Sequence, residues 1–238
     1  MNRIVLNDLF DYGLKIYQIP GLFKFSLDSI LLAEYVKLNS KKNNILDLCT
    51  GNGAIPLILS TKTNSHIDAF EIQKKIYDLA IKSVEYNHLE NQIIIYNYSI
   101  SEIKKIIKGK KYDIITCNPP YFKTDENSNI NISNELAIAR HELKTNLEEV
   151  FKISSEYLND KGELYLVHRA SRTDEIIILA NKYNLNVKNI QFIKTKDNNK
   201  PYIVLVRCLK NSKYGVKIEN EKSIENLVTY KKLFKEET

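Results

Sequence analysis

Two spacings of apolar residues alternate along the chain. Short apolar runs predict strands, whereas longer segments with an apolar residue every three or four positions predict helices. The predicted strands are Asn44–Cys49, Ile67–Glu71, Ile93–Tyr96, Tyr112–Cys117, Glu163–Val167, Val187–Ile193 and Tyr202–Leu209. The predicted helices begin near Ala54 or span Gln73–Tyr86, Leu147–Leu158 and Asp174–Tyr183. This alternation predicts an α/β fold in which helices cover both faces of a mostly parallel sheet.

Two other segments complete the organisation of the chain. Phe25–Ala33 predicts a helix that begins at a Ser26 or Asp28 cap. The polar segment Lys123–Asn134 predicts a mobile insertion, because loops of this length inside a domain are usually functional or disordered. We expect one domain over residues 1–238, with a flanking segment at 1–43, the core at 44–210 and a carboxyl-terminal tail at 211–238.

Composition is that of a globular protein, with 43% hydrophobic and 27% charged residues among 238. No apolar run has the length of a membrane span, and the first residues have no signal-peptide core, so we expect a cytoplasmic protein with no membrane contact. The distant cysteines predict free thiols, and the histidines lack the spacing of metal ligands, so no metal site is expected. These residues are Cys49, Cys117, Cys208, His66, His88, His141 and His168.

The net charge of +6 suits a polyanionic partner such as RNA. The abundance of Lys, Asn and Ile is equally typical of proteins from AT-rich genomes, so charge alone does not decide between these interpretations. Several cationic side chains could contact phosphates, although each also fits a solvated surface. They are Arg140, His141, Lys144, Arg169, Arg172, Lys194, Lys196 and Lys200.

A glycine-bearing turn follows the first predicted strand of the core, in Asp47-Leu48-Cys49-Thr50-Gly51-Asn52-Gly53. Glycines allow close approach of the backbone to a ligand, and the carboxyl edge of an open α/β sheet is where ligands bind. Glu71 ends the next strand, where a carboxylate can accept both hydroxyls of a ribose. Taken alone, the glycine-bearing turn could be purely structural, and Glu71 could be an acid favoured by a helix dipole. Together they favour a nucleoside-containing cofactor.

Asn118-Pro119-Pro120-Tyr121 follows the fourth predicted strand. Two prolines remove two backbone donors and stiffen the chain. The side-chain oxygen of Asn118 and the carbonyl of Pro119 could therefore accept the two hydrogens of one amino group. Tyr121 offers a flat face on which an extruded base could stack. The alternative is a rigid turn that only ends the strand.

These motifs together resemble the S-adenosylmethionine-dependent methyltransferases that have a seven-stranded Rossmann-like sheet, in the branch that methylates amino groups. The resemblance covers roughly residues 25–209. Phe25–Ala33, Leu166–Arg169 and Lys200–Val206 are similar to segments of the bacterial tRNA(Val) adenine-N6 methyltransferase family. The resemblance implies S-adenosylmethionine as cofactor and a tRNA substrate, methylated on the adenosine 3′ of the anticodon. We further expect a monomer.

The resemblance also implies roles for individual residues. Asp47, Gly51 and Gly53 would line the methionine end of the cofactor, and Glu71 would hold its ribose. Family members usually bind the adenine amino group through an acid at the position of Ser99, which offers only a neutral hydroxyl, and Asn97 is a nearby substitute. The expected cofactor-binding residues are Phe25, Ser26, Asp47, Gly51, Gly53, Glu71, Ser99 and Asn118, and the expected catalytic residues are Asn118, Pro119 and Tyr121.

Other functions remain open at this point. Enzymes that methylate a glutamine amide in a protein carry the same Asn-Pro-Pro-Tyr motif, but they typically have an additional amino-terminal helical domain. Methylation of ribosomal RNA or DNA amino groups is a further alternative. An RNA-binding module without activity is disfavoured by the intact residues 118–121 and Glu71. Measured cofactor affinity would separate an enzyme from such a module.

Overall fold

The computed structural model describes residues 3–20, 26–38, 44–121, 147–195 and 198–224 of the protein. Several positions with expected roles therefore lie outside the described residues. These positions are Phe25, Lys123–Asn134, Arg140, His141, Lys144 and Lys196.

The elements of the core alternate as the apolar pattern predicts. The strands are β3 (Ile45–Leu48), β4 (Ile67–Phe70), β5 (Ile93–Tyr96), β6 (Tyr112–Cys117), β7 (Leu158–Arg169), β8 (Leu185–Thr195) and β9 (Asn198–Lys210). The helices are α1 (Leu27–Tyr35), α2 (Ala54–Ser60), α3 (Lys74–Tyr86), α4 (Ile103–Ile106), α5 (Leu147–Tyr157) and α6 (Thr173–Lys182). A hairpin of β1 (Val5–Asp8) and β2 (Lys15–Gln18) precedes them, and β10 (Lys217–Ile218) and β11 (Lys222–Ser223) follow.

The central sheet has the order β10-β8-β9-β7-β6-β3-β4-β5, and β11 also pairs with β8. Strands β3 to β7 are parallel to their neighbours in this group, whereas β9 is antiparallel to both β7 and β8. The expected seven-stranded, mostly parallel sheet is thus confirmed in β3 to β9. The two-residue strands β10 and β11 extend its edge and were not predicted, because they are too short to carry an apolar period.

Two apolar clusters cover the two faces of the sheet. Alternate residues of one strand belong to different clusters: Ile45 packs with α1, α2 and α3, whereas Leu46 packs with α4, α5 and α6. This division follows from the period of two along a strand. The carboxyl ends of the parallel strands all lie at one edge of the sheet. Open α/β sheets bind ligands at this edge.

Several boundaries differ from the sequence-based expectation. Strand β7 begins at Leu158 rather than Glu163, because buried Leu158 already pairs with Tyr112 and a register shift absorbs the polar residues that follow. It ends at Arg169 rather than Val167, because its antiparallel pairing with β9 continues to that residue, so Leu166–Arg169 lies within the strand. Helix α1 begins at Leu27 with Ser26 as its N-cap, one of the two caps expected, and Asp28 lies in its first turn.

The hairpin of β1 and β2 was also not predicted. The Asn87 side chain pairs with the backbone of Lys15, accepting from its N–H at 2.9 Å and donating to its carbonyl at 2.7 Å. Tyr17 N–H donates to the Ser83 hydroxyl at 2.9 Å, and Asn52 donates from its side chain to the Tyr17 carbonyl at 3.0 Å. These bonds attach the hairpin to α3 and to the glycine-bearing turn.

The three cysteines are free thiols, as expected. Within the described ranges no helix combines the length and apolar character that crossing a membrane requires.

Candidate active site

The turn between β3 and α2 bends sharply because three of its residues have left-handed backbone angles. These are Cys49 (φ 60°), Gly51 (φ 59°) and Gly53 (φ 89°). Gly53 precedes the first residue of α2, and a side chain there would be strained at this φ. Cys49 adopts a conformation that favours glycine, at the position where a dinucleotide-binding turn would carry its first glycine. These backbone angles let the chain turn at the carboxyl edge of the sheet, between the end of β3 and the start of α2.

Asp47 lies at the end of β3 and is fully buried. Its Oδ1 accepts a hydrogen bond from the Thr116 hydroxyl of β6 at 2.5 Å. Its Oδ2 and the neighbouring Thr50 hydroxyl are buried, and neither has a hydrogen-bond partner among the described residues. Burial raises the pKa of Asp47 to about 7, while the hydrogen bond from Thr116 and the adjacent Thr50 hydroxyl oppose the shift. A buried acceptor without a partner is costly, so this oxygen fits a cationic or N–H-bearing ligand.

Glu71 follows β4 and is also buried. Its Oε2 accepts from Gly51 N–H at 2.9 Å, and its Oε1 accepts from Gln73 N–H at 2.8 Å. Burial raises the pKa of Glu71, and these backbone hydrogen bonds oppose the shift. A carboxylate has about four lone pairs. The Glu71 carboxylate therefore retains acceptor capacity beyond its backbone hydrogen bonds, which a ribose hydroxyl could use.

The segment after β5 forms hydrogen bonds with the backbone carbonyls of Glu71 and the residue that follows it. The Asn97 side chain donates to the carbonyls of Glu71 and Ile72, at 2.8 and 3.0 Å. Its amide nitrogen is thus engaged in supporting the Glu71 loop. The Ser99 hydroxyl accepts from Ser101 N–H at 3.3 Å and caps a short 3-10 helix. Ile72 and Tyr98 are large apolar residues exposed at 38% and 45%, which sequence reasoning did not single out.

The Asn118–Tyr121 motif begins directly after β6, the neighbour of β3. Leu48 pairs with Cys117 in the sheet, so Asn118 lies next to the glycine-bearing turn. The Asn118 Nδ2 donates to the hydroxyls of Ser29 and Ser26, at 2.9 and 3.1 Å. Its Oδ1 accepts from the Tyr121 hydroxyl at 2.9 Å. The side chain is therefore held by α1 on one side and by its own motif on the other.

Tyr121 packs against residues at the end of β7. The Tyr121 and His168 rings lie 4.9 Å apart between centroids, inclined by 52°, and the Arg169 guanidinium lies 5.6 Å from the Tyr121 centroid. Burial, together with the charges of Arg172 and Arg169, lowers the pKa of His168 to about 4, so this histidine is neutral at pH 7. Its Nδ1 accepts from Arg169 N–H at 2.8 Å. Burial and the nearby Asp28 carboxyl raise the pKa of Tyr121.

Eight expected site residues are thus brought together at one edge of the sheet. They are Ser26, Asp47, Gly51, Gly53, Glu71, Asn118, Pro119 and Tyr121. Asp47 lies at the end of β3, the turn follows this strand, Glu71 follows β4, the Asn118 motif follows β6, and Ser26 contributes from the N-cap of α1. Ser99 lies further along the same edge, after β5. Sequence reasoning missed Ser29 and the contact of His168 with Tyr121. Ser29 is within the quoted 25–33 segment, but no local signal identifies a partner in β6.

The cationic side chains near this edge differ in their surroundings. Arg172 forms an ion pair with Glu175, with Nε to Oε2 at 2.7 Å, and Lys194 forms an ion pair with Glu221. The Arg169 guanidinium lies over Tyr121, and Lys200 is exposed on β9. Across the part of the chain that the structure describes, no three His, Cys, Asp or Glu side chains are placed to hold a metal ion.

Comparison with known proteins agrees with this geometry. The profile of the methyltransferase small domain family matches residues 13–196. A tRNA1(Val) (adenine(37)-N6)-methyltransferase from Flavobacterium psychrophilum is 25% identical over 205 residues, which cover 84% of this chain and 86% of the relative. A protein of the same name from Cytophaga hutchinsonii is 29% identical over 176 residues, which cover 74% and 72% of the two chains.

Solved structures share the fold. A predicted O-methyltransferase from Agrobacterium tumefaciens has a TM-score of 0.64 at 16% identity, covering 84% of this chain and 88% of that one. The T. thermophilus 16S rRNA N2 methyltransferase RsmC, solved with AdoMet and guanosine, has a TM-score of 0.60 at 16% identity, covering 87% of this chain and 50% of that one. At these identities the likeness concerns the fold alone.

Proposed function

The chain belongs to the methyltransferase small domain family, and on that premise we propose that it transfers a methyl group from S-adenosylmethionine to the N6 amino group of an adenine in tRNA. The proposed target is the adenosine 3′ of the anticodon of tRNA(Val); the names of the relatives give adenine 37 of tRNA1(Val) as the target of those proteins. The observation that carries the proposal is the Asn118–Tyr121 motif after β6, at the same edge of the sheet as Asp47 in β3 and Glu71 after β4.

The cofactor fits the residues at this edge. Asp47 Oδ2 and the Thr50 hydroxyl are buried acceptors without partners among the described residues, and they suit the ammonium of the methionine moiety. Both oxygens of Glu71 suit the ribose hydroxyls. Exposed Ile72, next to Glu71, and exposed Tyr98, after β5, are suited to pack on the adenine ring. We assign Ser99 no contact beyond the cap that it forms.

Bound S-adenosylmethionine supplies a methyl group that is already activated by its sulfonium, so no strong base is needed. The residues of this chain contribute by positioning the substrate amino group. Asn118 Oδ1 and the Pro119 carbonyl accept the two hydrogens of the substrate amino group, which withdraws its lone pair from the ring and aims it at the methyl. Asn118 Oδ1 has a second lone pair beside the one that accepts from Tyr121. Orientation and electrostatics then supply the rate gain.

A tRNA partner suits the charge of the chain, +6 overall. Tyr121 would stack on the extruded adenine through the part of its ring that His168 and Arg169 leave exposed. Arg169 lies next to this position and is the cation best placed for a phosphate of the flipped nucleotide. Lys200 on β9 is a second candidate, exposed to solvent.

The test is incubation of the purified protein with labelled S-adenosylmethionine and each of three substrates: total tRNA, ribosomal RNA and a protein extract. Mass spectrometry of nucleosides should show N6-methyladenosine in tRNA(Val), with no label in ribosomal RNA. Label on a protein glutamine would instead support the other family that carries Asn-Pro-Pro-Tyr. The Asn118→Ala variant is the control for contaminating activity.

A further inference from the structure

The side-chain amide of Asn118 has two chemically different ends in nearly the same shape. A rotation of half a turn about its last torsion exchanges the oxygen, an acceptor, with the nitrogen, a donor. Methylation of an amino group needs the acceptor on the substrate side, since the substrate presents two N–H donors. If the amide nitrogen were on the substrate side, its N–H donors would face the N–H donors of the substrate. The rate therefore depends on how firmly the neighbouring groups hold the amide in place.

Two hydroxyls of α1 contact only one end of that amide. Ser29 Oγ lies 2.9 Å and Ser26 Oγ lies 3.1 Å from Asn118 Nδ2. Both serine oxygens can accept the two hydrogens that this nitrogen carries. Ser26 is itself fixed as the N-cap of the helix, since its Oγ accepts from Ser29 N–H at 3.3 Å. The two hydroxyls also lie 3.3 Å from each other.

The opposite end of the amide contacts a third hydroxyl. The Tyr121 hydroxyl lies 2.9 Å from Asn118 Oδ1 and also forms a hydrogen bond with the Asp28 carboxyl. The amide is therefore held at both ends, by Ser29 and Ser26 at one and by Tyr121 at the other. Ser29 lies in α1 and Ser26 is its N-cap, so the position of the Asn118 side chain depends on docking of this helix against the end of β6.

We propose that Ser29, supported by Ser26, is a positioning residue that holds the side-chain amide of Asn118 in place beside the substrate amino group. The expected effect on the rate rests on the proposed function. The hydrogen bonds themselves can be examined without a substrate. Ser29 touches neither substrate nor methyl donor in this role. It acts on the rate through Asn118.

The kinetic test compares Ser29→Thr with Ser29→Val, because these side chains have the same shape and only threonine keeps the hydroxyl. Ser29→Val should have a kcat about threefold to tenfold below that of Ser29→Thr, the range that one neutral hydrogen bond supplies. KM for tRNA should change less than twofold between the two. Adding Ser26→Ala to Ser29→Val should lower kcat further. Equal kcat in the Thr and Val variants would overturn the proposal.

Ser83→Ala is the matched control for general destabilisation. The Ser83 hydroxyl donates to the Leu79 carbonyl at 2.8 Å and accepts from Tyr17 N–H at 2.9 Å, on α3 and away from Asn118. This variant should lower Tm and leave kcat at 25 °C unchanged. A loss of kcat in Ser83→Ala equal to that in Ser29→Val would assign the effect to stability and overturn the positioning role.

A second measurement separates failure of this inference from failure of the proposed function. In ¹⁵N-labelled protein, the Asn118 side-chain NH2 signals are those that disappear in Asn118→Asp. Their hydrogen exchange should be slow in the wild type and Ser29→Thr, and severalfold faster in Ser29→Val. Equal exchange in Thr and Val overturns the inference whatever the substrate is. Absence of tRNA methylation by the wild type, with the exchange difference present, overturns only the proposed function.

Discussion

Cofactor affinity should rise with pH between 6 and 8, because of Asp47. Its Oδ2 is buried without a partner among the described residues, and burial raises its pKa to about 7. A cofactor ammonium placed against this oxygen binds the ionised carboxylate. At pH 6 only about one-tenth of the free protein has Asp47 ionised, and at pH 8 about nine-tenths. Ionisation of Asp47 should therefore contribute about a tenfold increase in affinity for S-adenosylmethionine from pH 6 to pH 8.

Isothermal titration calorimetry at pH 6, 7 and 8 measures this dependence. The ammonium of the cofactor also titrates, since α-amino groups have pKa values near 8. Asp47→Asn controls for that contribution, because both proteins meet the same ligand. The variant should bind weakly at every pH, and the ratio of its Kd to that of the wild type should increase about tenfold from pH 6 to pH 8. A constant ratio would refute the placement of the ammonium at Asp47.

Thr116 offers a second check on the same reasoning. Its hydroxyl donates to Asp47 Oδ1 and favours the charged form. Thr116→Val removes this donor and should raise the pKa of Asp47, so the increase in affinity should move to higher pH. An unchanged midpoint would mean that another group controls binding.

Stability of the cofactor-free protein should show the opposite trend. Asp47 is protonated in the folded state up to about pH 7, whereas in the unfolded chain it ionises near pH 4. Unfolding therefore releases a proton between these values, and the unfolding free energy decreases as pH rises through this range. From pH 5 to pH 7 the wild type should lose about 2 kcal/mol relative to Asp47→Asn. Urea denaturation of both proteins measures the difference, and parallel curves would contradict the raised pKa.

Three further substitutions test the remaining roles. Glu71→Ala should weaken cofactor binding by roughly 1.5–3 kcal/mol, the scale of hydrogen bonds to a charged group; calorimetry giving wild-type affinity would exclude a ribose contact. Asn118→Ala should lower the single-turnover rate about a hundredfold while cofactor affinity stays nearly intact, since one transition-state hydrogen bond is lost; a near-normal rate would reduce the motif to a turn. Tyr121→Ala should weaken tRNA binding by about 1–3 kcal/mol, the contribution of one stacked base, measured by filter binding, and unchanged binding would exclude stacking.

Local patterns were sufficient for most of the fold. The seven core strands, and the four helices from α2 onwards that are longer than one turn, follow from apolar spacing, because each element buries a face whose period is that of its own backbone. The order along the chain also placed Glu71 and Asn118 correctly, since both follow strands that the apolar runs define. In a parallel sheet, the carboxyl ends of neighbouring strands meet at one edge.

Elements without a period of their own were not visible in the sequence. The four-residue strands of the β1–β2 hairpin are stabilised by side chains of Asn87, Ser83 and Asn52, far along the chain. Strands β10 and β11 exist because β8 offers a free edge. The start of β7 at Leu158 similarly depends on its pairing with Tyr112. In each case the determining interaction is distant in sequence, so no local pattern records it.

By itself, the sequence determined the α/β class, the edge where the site lies and the residue types available there. Only the tertiary structure decided how those residues are held. It placed the Thr116 hydroxyl on Asp47 across 69 positions and the Ser29 hydroxyl on Asn118 across 89. It also left Asp47 Oδ2 buried with no partner among the described residues. The physical reason is that hydrogen bonds and desolvation depend on distances between atoms, which strand order and helix packing set after the local elements have formed.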